Sequence, residues 1–454
     1  MITIVSPTSW VRTLGTTLDA VSGDLETQNA DQPDPLPATD LAITAPAFDV
    51  SEDSEASERA IPVRTSDLVR ALASDPSLSP ADRTQFLQFC RILGAVFHYE
   101  YYDWLVSLKD LYAPLDPDSD CVPISDGSTE RTEDADEAFL QPFEAALIRA
   151  NYRPLNLKIV EEAISEPNEL GLNYVPDFKI FEHLRIYVRG RTKVSRFIRS
   201  ARTRFRKREV IHPGYARLVV VIKFRDGTKA LDQYARSDVL YLRLFKDVPH
   251  VDMEMHLPEH GVKVKMRMID KAQIASPVFT GIPLLIGKVF MGFSSPFAMA
   301  GLLIAPFSAG LNSFFGFQRA KQKHLAHMIR HLYYLTLANN ASVINRLVDS
   351  AEEEDFKETL LAYFFLWRNH DDPEPWDQPR LDRAVEQYLR ERTGLEIDFE
   401  VSDAARKLFR LGLAQADSRG FLTSTHIGSA LERLDEQWDN AFKYHEMSRE
   451  PRQS

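Results

Sequence analysis

Between Ala272 and Phe317 the chain carries one charged side chain, Lys288, in 46 positions, and no other feature narrows its folding options so far. A helical bilayer crossing takes about 20 residues, and Ser294-Ser295-Pro296 divides the stretch into arms of roughly 17 and 22 residues. That is enough for a transmembrane helical hairpin over 272–318 if Lys288 snorkels to an interface. Lys263, Lys265, Arg267 and Lys271 flank its entry, and Arg319, Lys321 and Lys323 its exit. Basic flanks stay on the cytoplasmic-type side, so both termini are expected there, at a bacterial inner membrane or an organelle membrane such as the mitochondrial one. Gly301, Ala305 and Ala309 place small residues four apart for close helix packing. A re-entrant wedge and a buried hairpin in a water-soluble core are the alternatives. The missing polar face argues for spanning.

The net charge of -12 is unevenly spread. Residues 1–60 hold eleven acids against two bases, in a Pro/Ser/Thr/Ala-rich composition that predicts disorder. An acidic linker follows at about 114–137. Cys90 and Cys121 are the only cysteines, which leaves neither a disulfide framework nor a thiolate metal site. Nothing at the start resembles a signal peptide or an Arg-rich transit peptide.

Periodicity gives an α+β, mostly helical chain. Ser79-Pro80 reads as a helix start, and Phe86, Phe89, Cys90, Leu93, Phe97 and Tyr101 recur at helical spacing behind it, within a helical region 61–170. From Phe178 short runs of Val, Ile, Tyr and Phe predict an antiparallel sheet domain over 171–271 with one wet face. Helices return in 319–445, one from Glu352 opening with an acidic run that suits a helix N-terminus.

Arg185–Arg208 holds eleven Lys or Arg and no acid. Val194, Phe197, Ile198, Ala201 and Phe205 fall on one face of a helix there, which predicts a basic amphipathic helix. Arg189, Arg191, Lys193, Arg196, Arg199, Arg202, Arg204, Arg206, Lys207 and Arg208 are its candidate contacts to an anionic membrane surface. Nucleic acid is a weaker alternative, and a solvated helix covering the sheet is the bland one. His324, His327 and His331, with Glu354 and Glu358, could meet as a helical metal site, although the Glu-x-x-His pairs of such sites are missing. His212, Asp226 and Asp252 lie near strand ends without nucleophile–base spacing. Walker, dinucleotide, HExxH and nucleophile-elbow motifs are absent, so no cofactor is expected and catalysis is disfavoured.

Helices at Arg380–Arg392 and Ser402–Leu411, a hairpin around Asp417–Gly420 and a helix from Ile427 predict a winged-helix-like C-terminal unit. Glu352–Asp439 holds 21 acids against 11 bases, which favours a protein partner over nucleic acid. The runs Phe178–Gly190, Leu242–Pro249, Leu337–Asn340 and Asp349–Trp367, with Glu436–Phe442, resemble the transmembrane protein 143 family and its bacterial relatives. That resemblance implies a domain of unknown function with two spans, mitochondrial in animal members, and supplies no catalytic residues. The expectation is a membrane-anchored scaffold or interaction protein with anionic lipids as partners. A membrane-bound enzyme on a lipid or phosphorylated substrate, and a nucleic-acid tether at the membrane, are the alternatives.

Overall fold

A computed structural model describes residues 58–121, 134–165, 173–198, 208–228, 235–258, 261–265 and 332–441, with isolated positions at 315, 318, 322 and 326. All lie in one unit, Asp49–Ser454. The helices are α1 (Thr65–Ala73), α2 (Pro80–Tyr112), α3 (Ala135–Arg149), α4 (Leu157–Ser165), α5 (Ala341–Arg368), α6 (Gln378–Thr393), α7 (Val401–Arg410) and α8 (Ile427–Asp439). The strands are β1 (Arg153–Pro154), β2 (Asn173–Pro176), β3 (Phe181–Ile198), β4 (Arg208–Phe224), β5 (Tyr241–Pro249), β6 (Val262–Lys265), β7 (Thr336–Asn339), β8 (Ala414–Ala416) and β9 (Leu422–Ser424). The protein is mixed α/β around a five-stranded antiparallel sheet ordered β1-β3-β4-β5-β7.

The sheet centre is covered on both sides, unlike the half-wet sheet expected. In β4, Val219 and Val221 join one core, and Leu218, Val220 and Ile222 the other. An unbroken apolar run is what two-sided burial demands, because successive side chains point to opposite faces. The larger core packs that face against α2, α3 and α5 and continues through α6, α7 and α8 to Leu434. The smaller one holds α4, the 3-10 turn His250–His256 and β6. β6 pairs with β2 outside the main sheet.

Ser79 caps α2 by accepting the Asp82 N–H at 3.1 Å. The long α2 and α5 are zipped by rings: Phe86 stacks on Trp367 at 5.8 Å, and Phe89 on Tyr363 at 4.2 Å. Asn340 turns the chain from β7 into α5 with φ 48°. Its side chain accepts the Leu242 N–H at 3.1 Å and donates to Asp118. Trp376 bridges Leu422, so α6, α7 and the β8–β9 hairpin close into one C-terminal unit.

The membrane expectation is corrected. The hairpin at 272–318 lies outside the described residues apart from Phe315 and Gln318. Among the described residues no helix is long and apolar enough to cross a membrane. The helices with sufficient length, α2 and α5, carry Asp82, Arg91, Glu100, Asp103 and Lys109, and Glu352–Asp355, Lys357 and Glu358, and bury their apolar faces in protein. Integral placement with both termini on one side is supported by none of the described helices. Of the acidic N-terminus, residues 1–57 also lie outside the described residues.

Candidate functional site: a buried charge network and a cationic ribbon

The acidic run Glu352–Glu358 does not open a helix. It sits in the middle of α5, eleven residues in, where Glu354, Asp355, Lys357 and Glu358 are each at most 5% exposed. Burying ionised groups costs several kcal/mol apiece unless they are paired, roughly the stability of a small domain. Every one has a partner. Helical spacing puts Asp355 and Glu358 on one face of α5, and Lys407 of α7 enters between them, its Nζ at 2.6 Å from Asp355 and 2.7 Å from Glu358. Asp403, one turn earlier on α7, makes a third contact at 2.7 Å. Tyr101 of α2 donates its hydroxyl to Asp355 at 2.5 Å, and Arg149 of α3 lies 3.8 Å from the same carboxylate. Four helices thus meet at one set of charges.

Burial pushes the Glu358 carboxyl up to about 8; Lys407 pulls the other way, and Asp355 and Asp403 add to the rise. Burial also works against ionising Asp403, but Lys407 outweighs it and holds that carboxyl low. Lys407 itself stays cationic, since its three carboxylates overcome the cost of burial.

Asp355, Glu358 and Asp403 present oxygens within 4.8 Å of one another, the spacing of a metal site. The ammonium of Lys407 already stands where an ion would be held, so the arrangement is a charge-compensated clamp. A second such trio, Asp136, Glu182 and His183, is likewise occupied by Lys223, which bonds Asp136 and reaches Glu182 at 3.1 Å. Of the metal candidates read from sequence, Glu354 and Glu358 serve different cations, Lys357 and Lys407. His324, His327 and His331 lie outside the described residues. His212 pairs opposite Val194, whereas Asp226 follows the far end of β4, about 40 Å away at roughly 3.3 Å per residue.

Over its described residues, 185–198 and Arg208, the basic segment is a β-ribbon, not a helix. β3 and β4 pair from Phe181↔Phe224 out to Ile198↔Arg208, so Val194, Phe197 and Ile198 of the expected helical stripe lie on extended backbone, while Ala201 and Phe205 fall outside the described residues. β5 stops pairing at Gly214, and Gly190 breaks the regular pairing of β3 with φ 67°. Beyond these two glycines the ribbon continues with β3 and β4 bonded to each other, for roughly 25 Å to Ile198. Near the base, Arg185 pairs with Glu137 and Glu144, and Arg189 donates to the Ala150 carbonyl at 3.0 Å and lies over the Tyr152 ring. Farther out, alternation puts Arg191, Lys193 and Ser195 on one face with Pro213 and Ile211 across from them, all exposed, Ile211 by 61%. Glu209 is the single acid on this part of the ribbon. Arg196 lies in β3 and Arg208 begins β4; Arg199, Arg202, Arg204, Arg206 and Lys207 fall outside the described residues.

In the C-terminal unit the bases of α7 are engaged. Lys407 is buried, Arg406 pairs with Asp403 at 3.0 Å, and Arg410 makes a two-pronged contact to Glu100 of α2 at 2.6 and 3.0 Å. A shallow, open groove lies between α3 and β3, lined by Asp134, Glu137, Gln141, Glu144 and Arg185.

No solved structure matches the chain. A family model described as Protein of unknown function (DUF3754) matches residues 215–342, from β4 to the first turn of α5. The matched segment contains β5, β6 and β7 but stops short of the acidic run and α7. Residues 215–342 therefore carry a DUF3754 domain, a domain of unknown function.

Proposed function

We propose that the protein is an interaction protein whose β3–β4 ribbon makes peripheral contact with an anionic lipid surface. The carrying observation is the exposed face of Arg191, Lys193, Ser195, Ile211 and Pro213 beyond Gly190 and Gly214. Cations beside an exposed aliphatic side chain match the headgroup boundary, where charge is attracted and a methyl group gains by leaving water. Single-stranded nucleic acid is usually met by exposed aromatic platforms, and residues 191–195 and 209–213 contain no Phe, Tyr or Trp. The reading does not depend on any spanning segment. The acidic C-terminal unit, with its α7 bases engaged internally, offers a surface for a protein partner. The similar runs past residue 342, in α5 and after α8, support kinship with the transmembrane protein 143 family, which adds no activity.

The test uses the full chain with vesicles of phosphatidylcholine, alone or mixed with phosphatidylserine. Co-sedimentation is expected only with the anionic vesicles. The double reversal Arg191→Glu/Lys193→Glu should weaken it about tenfold or more, since each basic group near such a surface contributes about 1 kcal/mol. The melting temperature should not change, because both side chains are exposed. Binding to RNA or DNA at matched salt without vesicle binding would refute the proposal.

A further inference from the structure

The first described residues, Glu58–Val63, start beside the loop between α6 and α7 and bend at Ala60 and Val63, where the Val63 N–H turns back to the Ile61 carbonyl at 2.8 Å. Glu58 forms a parallel bridge with Ile397, and its carbonyl accepts the Asp398 N–H at 2.9 Å. Three residues on, a side chain reads each end of Ile61. The Ile61 N–H donates to Glu354 Oε2 at 2.8 Å, and Lys357 Nζ donates to the Ile61 carbonyl at 3.1 Å. The Ile61 side chain is 1% exposed, while Arg59 reaches out to Asp398 and Glu400.

Glu354 and Lys357 also bond each other, at 3.3 Å. Both are almost wholly buried, and a buried charge left alone would be strongly destabilising. This pair stays compensated when the segment it holds departs, so the seat survives being emptied. One main-chain bond at Glu58 and the two side-chain bonds to Ile61 hold the backbone, and the contacts made by the Arg59 and Ile61 side chains select. The selection is legible in the occupant. Asp398 and Glu400 ask for a base, the cavity two positions later asks for a branched aliphatic group, and a following proline holds that residue extended before it docks.

We propose that this seat is a peptide-binding site for a basic-x-Ile/Val-Pro segment, filled in cis by residues 58–63 and open to a partner's segment of the same chemistry. The probe is a labelled synthetic peptide with the sequence of residues 56–66, titrated into the full chain. The variant Arg59→Glu/Ile61→Ser, whose own segment is detached, should bind it saturably. Wild type should bind about tenfold or more weakly, because its cis segment competes, and a peptide carrying Ile61→Asp should not bind. Adding Glu354→Gln to the detached variant should weaken binding by about tenfold. A detached variant that keeps its helical dichroism and a cooperative melt yet binds no peptide overturns the proposal. Should that variant fail to fold, amide exchange in wild type decides. Exchange of residues 59–63 about tenfold faster than the interior of α5 supports a seat that empties, and opening only with the whole fold rules it out.

Discussion

Lys407 holds three carboxylates at hydrogen-bond distance inside the protein, so its removal strands charge rather than merely losing contacts. Lys407→Met should cost about 3–5 kcal/mol in denaturant unfolding. Glu358 behaves oppositely. Its folded value of about 8 lies above its ordinary 4.5, so the folded chain holds that proton more tightly than the unfolded one. Its stabilising effect is complete below about pH 4.5, declines as pH rises, and is gone above about 8. Glu358→Gln, which keeps the shape and cannot ionise, should be more stable than wild type at pH 8. The gap should close toward pH 4.5, and a gap that stays constant across this range would refute the assignment. The sequence displayed the acidic run but concealed its partner, because Lys407 sits on another helix. One signal was available: Lys407 lies on the stripe Ala404, Leu408 and Leu411, where a cation on a buried face demands anions opposite.

At the scale of elements, Ser79-Pro80 and the stripe of α2 were legible because cap and period agree. The basic segment misled because its cations satisfy two periods. Arg185, Arg189, Arg191 and Lys193 all fall on odd positions, with Ile186, Val188 and Val194 on even ones, a period-two pattern that outranks the helical one. α5 starts at Ala341 and not near Glu352, since Asn340 uses a positive φ and its side-chain bonds to turn the corner without a conventional cap. The departure of the ribbon is itself testable. A Cβ on Gly214 would lie 2.5 Å from the Val248 carbonyl oxygen, backbone against backbone. Gly214→Ala should therefore destabilise by about 2 kcal/mol or more, with accelerated amide exchange at the β4–β5 end. Unchanged stability would mean that β5 does not approach β4 there.

Across the whole molecule, the larger core runs from Ile61 to Leu434, so N-terminal helices, sheet and C-terminal unit share one interior. Sequence reading divided these regions because linkers and charge runs are local, whereas the α2–α5 ring zipper and the Lys407 clamp join residues far apart in the chain. The two thiols report on this shared interior. Cys121 is exposed, whereas Cys90 faces the core from α2, where burial pushes its thiol up to about 12 and leaves almost no reactive thiolate. A maleimide at neutral pH should modify one site per folded chain and a second only in denaturant, read by intact mass. Two sites modified at equal rates in native buffer would contradict the packing of α2. Each chain thus keeps a tally of its own opening: the second adduct appears when the central helix lets reagent in, which lets loosening be counted molecule by molecule without an assay of activity.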